Sequence, residues 1–155
     1  MIGNILACAA PVVLLAFVSA QTADPADARL PAGPGKAALL KACSPCHGAA
    51  SAVAQFKTTD EWKKTLDEMA ANGAEASDDE WKEILLYVDK HFSLILVNKA
   101  DAKRLANTLD VAAAQGDAIV RYREERGRIT GIDDLKKVAG LDAAKVDARK
   151  DRLIF

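Results

Sequence analysis

Apolar side chains recur at helical spacing through most of the chain after residue 35. Trp62, Leu66 and Met69 fall on one face of a helix, and the stretch from Trp81 to Phe92 repeats this pattern. Only 5% of the residues are aromatic, and much of the apolar half is alanine, which disfavours a large β core. No stretch has the alternating pattern of a strand. We therefore predict an all-α protein.

Capping residues mark where these helices begin and end. Residues 58–61 (Thr-Thr-Asp-Glu) and 77–80 (Ser-Asp-Asp-Glu) each place a Glu three positions after a hydroxyl, the capping-box pattern of a helix N-terminus. Asn72-Gly73 lies between them, and a glycine in the left-handed conformation is expected to end the first of the two helices there. With a shorter helix expected over 36–42, the sequence predicts three helical stretches between residues 36 and 93.

The first 35 residues lack this helical spacing of apolar side chains. Residues 1–20 hold an apolar run that is too short to span a membrane, and they end in Ser-Ala, the small-residue pattern of a cleavage site. We expect a signal peptide cleaved after Ala20, a periplasmic or secreted protein, and no transmembrane segment after cleavage. Residues 21–35 are rich in Pro, Gly, Ala and Asp and predict a disordered linker.

The charge of the chain changes sign near residue 94. Residues 21–93 hold 8 basic and 12 acidic side chains, a net charge of −4, whereas residues 94–155 hold 13 basic and 10 acidic side chains, a net charge of +3. A chain of 155 residues has room for one ordinary domain or two very small ones. We predict two domains, over 36–93 and 94–155.

A short motif in the first domain carries the most specific chemistry. Residues 43–47 spell Cys-x-x-Cys-His, the attachment sequence of a c-type haem. Two thiols three positions apart can add to the two vinyl groups of a porphyrin, and the adjacent imidazole can then ligate the iron. A structural zinc site needs about four ligands, for which only Cys8 and His91 remain, and a thioredoxin-like dithiol expects a βαβ context. One covalent haem c, held by Cys43 and Cys46, is the favoured hypothesis.

The candidates for the sixth iron ligand are few. Met69 is the only methionine after residue 20, and His91 is the only histidine besides His47. With His47 as the proximal ligand, Met69 on the inner face of its helix is the favoured distal ligand. His91 at the end of the third helix and an open sixth position are the two alternatives.

Residues 36–93 resemble a small class I cytochrome c. The resemblance is carried by the helix that leads into Cys43, Cys46 and His47, by Trp62 and Met69, and by a closing helix with Trp81, Tyr87 and Phe92. In that family histidine and methionine are the axial ligands, and the function is single-electron transfer. The resemblance implies an electron carrier rather than an enzyme, with redox protein partners, among which a periplasmic dehydrogenase is a candidate electron donor.

Residues 94–155 resemble a tandem helix-hairpin-helix domain of the bacterial competence DNA-receptor type. The resemblance is carried by the order of three blocks, at residues 97–105, 118–127 and 132–141. Members of that family bind the duplex backbone through Gly-hydrophobic-Gly turns. Here the turns read Asp110-Val111-Ala112 and Gly140-Leu141-Asp142, which place carboxylates and methyl groups where phosphate contact expects glycine. We expect a degenerate module for docking or spacing, with weak or absent DNA binding.

Three functions are compatible with these features. The favoured hypothesis is an exported monohaem cytochrome that carries electrons between periplasmic partners. The first alternative is an extracytoplasmic DNA-binding protein whose haem is structural or sensory, and the second is a haem enzyme or gas binder with an open sixth site. Salt-sensitive DNA binding would indicate the first alternative, and a high-spin ferric spectrum would indicate the second.

Overall fold

A computed structural model describes residues 24–155. This part of the chain is mostly helical, as predicted, and adds two strands of two residues each that the sequence pattern does not indicate. The predicted signal peptide lies outside the described residues. No helix within residues 24–155 is long and apolar enough to cross a membrane.

Eight α-helices and two β-strands follow one another along residues 24–155. They are α1 (Lys36–Cys43), α2 (Ala49–Ala52), α3 (Thr59–Ala71), α4 (Asp78–Phe92), β1 (Ile95–Leu96), α5 (Ala102–Leu109), α6 (Ala113–Arg126), α7 (Ile132–Leu135), α8 (Ala143–Asp147) and β2 (Leu153–Ile154). Short 3-10 turns at Asp27–Arg29 and Lys150–Arg152 precede α1 and β2.

The predicted capping boxes are confirmed at the start of α3 and of α4. The Thr58 hydroxyl accepts from the Glu61 amide at 3.3 Å, and the Thr58 amide donates to the Glu61 carboxylate at 2.7 Å. Ser77 and Glu80 make the same reciprocal pair. Gly73, with a φ of 96°, is the left-handed residue expected after α3. Local hydrogen-bonding chemistry therefore defines both helix starts.

Removing one of these caps gives a first testable prediction. Ser77→Ala leaves the Glu80 amide without its acceptor, so we expect the free energy of unfolding to fall by about 1 kcal/mol. Urea denaturation followed by circular dichroism measures this loss. Ser51→Ala, in an exposed position of α2, is the matched control and should change stability by less than about 0.5 kcal/mol. Equal stability of the two variants would show that the cap contributes nothing.

The first buried cluster forms where α1 and α3 pack against α4. Trp62 of α3 is 1% exposed, and its indole nitrogen donates to the Phe92 carbonyl at 3.1 Å. Gly35, just before α1, has a φ of 86°, and a Cβ there would overlap the Glu83 carbonyl oxygen of α4. The close approach of α1 to α4 therefore depends on glycine at this position. The other large, fully buried side chains of this cluster are Leu39, Ile84, Tyr87 and Val88.

Residues 24–35, part of the predicted disordered linker, instead lie against this cluster. The buried Asp27 carboxylate accepts from the Ser44 hydroxyl at 3.0 Å and from the Ala50 amide at 2.8 Å. The Tyr87 hydroxyl donates to the Pro31 carbonyl at 2.7 Å. The amide of Ala50 holds the pKa of Asp27 below its ordinary value. Residues 24–35 form turns and one 3-10 turn that are fixed by long-range bonds. Such a segment needs no helical periodicity, so its order leaves no pattern in the sequence.

The second buried cluster is built by α5, α6 and the C-terminal segments. Gly116 of α6 is buried against α5, where a Cβ would overlap the Ala102 carbonyl oxygen. β1 and β2 pair in parallel, with Ile95 opposite Leu153. The buried side chains here are Ile95, Val97, Ala100, Leu105, Leu109, Ile119, Ile129, Leu135, Val138, Val146 and Leu153.

Polar contacts join the two halves at the C-terminal end of α4. The Arg152 guanidinium, on a residue that is 6% exposed, donates to the Ser93 carbonyl at 2.7 Å and to the Lys90 carbonyl at 3.1 Å. A cation at this end of α4 also complements the helix dipole. The Asp89 carboxylate accepts from Arg104 of α5 at 3.1 Å. These bonds fix the position of α4 relative to the C-terminal helices.

Candidate functional site

Two turns in the C-terminal half begin with a left-handed residue: Asp110-Val111-Ala112 joins α5 to α6 in what we call the first hairpin, and Gly140-Leu141-Asp142 precedes α8 in the second hairpin, formed by α7 and α8. Asp110 ends α5 with a φ of 58°, and Gly140 precedes α8 with a φ of 76°; these are left-handed conformations. Aspartate is one of the few residues with a side chain that visits this region at small cost. Ala112 has a φ of −63°, which any residue adopts. Loss of glycine at the first turn is therefore compatible with an intact hairpin.

Side-chain bonds hold the two turns side by side. Gln115, in the first turn of α6, donates to the Gly140 carbonyl at 2.6 Å. In the opposite direction, the Lys145 ammonium of α8 donates to the Asp110 carboxylate at 2.6 Å. Each hairpin thus reaches the turn of the other, and the two turns form one surface.

The two helix starts at this surface differ in their capping. α6 has 14 residues, and its N-cap Ala112 offers no side-chain hydrogen bond, so the first amides of α6 are open to an external acceptor. At α8 the Asp142 carboxylate accepts from the Ala144 amide at 2.9 Å and from the Lys145 amide at 3.3 Å. The first amides of α6 can therefore donate to a phosphate. The corresponding amides of α8 already donate to the Asp142 carboxylate.

Asp110 does not present a bare negative charge. Its carboxylate lies 2.6 Å from the Lys145 ammonium, 3.5 Å from the Arg149 guanidinium and 3.9 Å from the Lys90 ammonium. The bond from Lys145 holds the pKa of Asp110 below its ordinary value, so the group is ionised at neutral pH. The expected repulsion of phosphate by Asp110 is therefore offset by three nearby cations, which the motif search did not identify.

Part of the basic charge of α6 is structural. Arg123 donates to the Val97 carbonyl at 2.9 Å and to the Ala100 carbonyl at 2.8 Å, and so joins α6 to the segment before α5. Arg121 and Arg126 are exposed on the same helix, and Arg128 is exposed just after it. These three guanidinium groups are available to an anionic partner.

The Cys-x-x-Cys-His motif lies at the end of α1 and in the turn that follows. Cys43 is 5% exposed, Cys46 and His47 are exposed, and both thiols are free. Burial raises the pKa of the Cys43 thiol. His47 Nδ1 lies 3.2 Å from the Gly48 carbonyl oxygen, an arrangement in which Nε2 is left free to ligate a metal. These donors are chemically compatible with covalent haem attachment.

The two predicted candidates for the distal position lie on different helices. Met69 is partly buried on α3, beyond the buried Trp62 and Leu66 of the same face. His91 is partly buried near the end of α4, where its ring centroid lies 4.8 Å from that of Tyr87. Within residues 24–155 no group of three or more His, Cys, Asp or Glu side chains is placed to hold a metal ion.

The position of His91 gives a prediction about pH. Burial, followed by the positive charges of Lys90 and Arg152, lowers the pKa of His91 below its ordinary value of 6.5; Arg149 acts in the same direction and Asp110 opposes it. The unfolded chain therefore binds the proton first as the pH falls, and stability is lost below the unfolded pKa. We expect the urea midpoint to decrease between about pH 7.5 and about pH 5.5.

Two histidine variants test the origin of this pH dependence. In protein made without haem-attachment machinery, His91→Gln should remove most of the decrease, whereas His47→Gln, at the exposed histidine, should keep it. A wild-type midpoint that stays constant over this range would contradict the prediction.

Comparison with known proteins identifies the C-terminal half. Residues 90–154 match the family model described as helix-hairpin-helix motif, and this part of the chain is a helix-hairpin-helix domain. The chain is 33% identical over 60 residues to an uncharacterised protein of Haemophilus influenzae, a match that covers 38% of this chain and 54% of that protein. It is 37% identical over 49 residues to ComE operon protein 1 of Bacillus subtilis, covering 32% of this chain and 24% of that protein. No solved structure matches the chain.

These findings correct the favoured hypothesis of the sequence analysis. The comparisons match a helix-hairpin-helix motif and a ComE operon protein, and neither match indicates a cytochrome or electron transport. The prediction of an electron-carrying cytochrome with a docking or spacer module is therefore wrong, and the DNA-binding alternative agrees better with the comparisons.

Proposed function

We propose that this chain is an extracytoplasmic DNA-binding protein that contacts the backbone of duplex DNA through its paired hairpin turns. The observation that carries the proposal is the match of residues 90–154 to the helix-hairpin-helix motif. The uncapped start of α6 supports it, because open amides at the positive end of a helix dipole are suited to a phosphate. The net charge of +3 over 94–155 adds a favourable long-range attraction.

The groups that face outward at these turns favour binding without sequence preference. Backbone amides, lysines and arginines contact phosphates, which are the same at every base pair. The first hairpin presents Ala112, Ala113 and Ala114, whose methyl groups cannot read the hydrogen-bonding pattern of a base edge. We therefore expect similar affinity for duplexes of unrelated sequence.

Fluorescence anisotropy of a labelled duplex, titrated with the full-length exported protein, tests this function. We expect binding that weakens steeply between about 50 mM and about 200 mM salt, because several phosphates are neutralised and counterions are released. Two duplexes of unrelated sequence should give equal affinities at each salt concentration. A protein that binds neither duplex at about 50 mM salt would contradict the proposed function.

Covalent haem at the Cys-x-x-Cys-His motif is the second part of the proposal. Cys43 and Cys46 would hold the porphyrin, His47 would ligate the iron and Met69 would be the distal ligand, in a structural or sensory role. The free thiols and the orientation of the His47 ring support this assignment. The group would supply an iron centre that responds to redox state or to small ligands. The signal peptide predicted from the sequence agrees with the same assignment, since haem attachment of this kind takes place outside the cytoplasm in bacteria.

Mass spectrometry tests the haem separately from DNA binding. Protein from a host with haem-attachment machinery should carry the added mass of one haem, and Cys46→Ala should reduce the yield of this form sharply. Wild-type protein of unmodified mass with two free thiols would contradict the haem assignment and leave the DNA-binding test unaffected.

A further inference from the structure

A cluster of three cations from both halves of the chain surrounds one carboxylate at the first hairpin turn. Lys90 comes from α4 in the first half, whereas Lys145 and Arg149 come from the second hairpin, and all three lie within 4 Å of Asp110. We call these four residues the Asp110 cluster. One carboxylate balances one of the three positive charges, so the cluster keeps a surplus of about two positive charges.

The Asp110 cluster is open to solvent. The side chains of Lys90, Lys145 and Asp110 are 50%, 41% and 43% exposed, and that of Arg149 is 22% exposed. Ion pairs with this exposure contribute little to stability, since water screens them. A surplus of unpaired positive charge that water can reach is therefore better explained by an external anion than by a role in folding.

Lys90 is held in place by the contacts that join the two halves. Its carbonyl accepts from Arg152 at 3.1 Å, and the neighbouring Asp89 is bonded to Arg104. These bonds fix the end of α4 beside the hairpins, and from there the Lys90 ammonium lies 3.9 Å from the Asp110 carboxylate. One of the three cations at the first turn, Lys90, thus comes from α4 and not from the hairpins.

We propose that Lys90, Lys145 and Arg149 together bind one phosphate group of duplex DNA, and that the Asp110 carboxylate holds these cations in place when no DNA is bound. The proposal rests on the proposed function and extends its contact surface from the hairpins to α4. A backbone phosphate fits better than a free phosphate ion, because the cluster is an open surface and not an enclosed pocket. The open amides at the start of α6, three residues after Asp110, offer a second phosphate contact along a continuous backbone.

The test compares single variants of the full-length protein in salt-dependent binding to a labelled duplex. Lys90→Gln should weaken binding several-fold and lower the slope of log K against log salt by about 1, the effect of losing one phosphate contact. Lys82→Gln, at an exposed lysine near the other end of α4, is the matched control and should change neither quantity. Asp110→Asn should strengthen binding several-fold, because the phosphate no longer competes with a carboxylate.

A double variant and a competing ion make the test specific. In the Asp110→Asn background, Lys90→Gln should weaken binding by a larger factor than it does in the wild type. The reason is that Asp110 and Lys90 are coupled through the same site. Inorganic phosphate, substituted for chloride at equal ionic strength, should displace DNA no better than chloride does. Circular dichroism of each variant confirms that the fold is retained.

The outcomes separate this proposal from the proposed function. If the wild type binds DNA and Lys90→Gln binds with the same affinity and the same salt slope, the role of the Asp110 cluster is overturned. The DNA-binding function is then left intact. Selective displacement of DNA by millimolar inorganic phosphate would also overturn it, in favour of a small-anion site. Absence of any wild-type binding at low salt would overturn both.

Discussion

Replacing Gly116 with alanine is expected to destabilise the protein by about 2 kcal/mol or more, although alanine is the better helix former. A Cβ at this position would overlap the Ala102 carbonyl oxygen and lie 3.1 Å from the Ala106 Cβ. The obstacle is backbone, which no side-chain rotation relieves, so α5 and α6 would have to move apart. The buried cluster around Leu105 and Ile119 would lose packing as a result.

Urea denaturation of the variant against a second glycine variant measures this effect. Gly131 has a φ of 177°, and a Cβ there would meet nothing within 4 Å, so Gly131→Ala should change stability by less than about 0.5 kcal/mol. Wild-type stability in Gly116→Ala would contradict the close packing of α5 against α6 and with it the geometry of the first hairpin.

Reversing the charge of Lys145 and Arg149 together is expected to have the largest effect on function. Both cations lie at the surface formed by the two hairpin turns, within 4 Å of the Asp110 carboxylate. With glutamate at both positions, the Asp110 cluster would present three carboxylates and a single cation, Lys90, to an incoming phosphate. We expect duplex affinity to fall by at least ~100-fold at low salt and the salt slope to decrease.

A charge-matched variant distinguishes a local effect from a change in net charge. Lys63→Glu with Lys82→Glu changes the net charge by the same amount, on α3 and α4 at the rim of a groove lined by Leu66 and Trp81. We expect this control to weaken DNA binding only slightly, through long-range electrostatics that salt screens. Equal losses in the two double variants would mean that the hairpin surface has no special role.

Features encoded within a few residues could be predicted from the sequence. The starts of α3 and α4 follow from capping boxes whose donors and acceptors are at most three residues apart. The end of α3 follows from Gly73, which needs no partner elsewhere in the chain. The resemblance of the C-terminal half to a helix-hairpin-helix domain rested on several such blocks in order, and the family match confirms it.

Features that depend on distant residues could not be predicted. Asp27 is ordered by bonds to Ser44 and Ala50, and nothing near Asp27 in the sequence indicates these partners. Arg152 is one of 13 basic residues after position 93, and only the fold shows that its guanidinium is buried against the carbonyls of α4. The small parallel pairing of β1 with β2 likewise joins segments that are far apart in sequence.

The surroundings of Asp110 show what residue type alone leaves out. The sequence indicates a lost glycine and a source of repulsion at this position, whereas the backbone keeps the left-handed conformation and the carboxylate lies among three cations. Two of those cations are four residues apart, Lys145 in α8 and Arg149 two residues after its end, and this spacing is a signal that the sequence offered. The contribution of Lys90 depends on the packing of α4 and has no local signal.

Nuclear magnetic resonance of the full-length protein, titrated with a short duplex, reports DNA binding and its location together. If the two hairpin turns contact the duplex, we expect the largest amide shifts at Ala113 and Ala114, with further shifts at Asp110, Lys145 and Gly140, and small shifts along α1 and α3. Shifts that are absent from the two hairpin turns, or that are confined to the groove between α3 and α4, would contradict this contact.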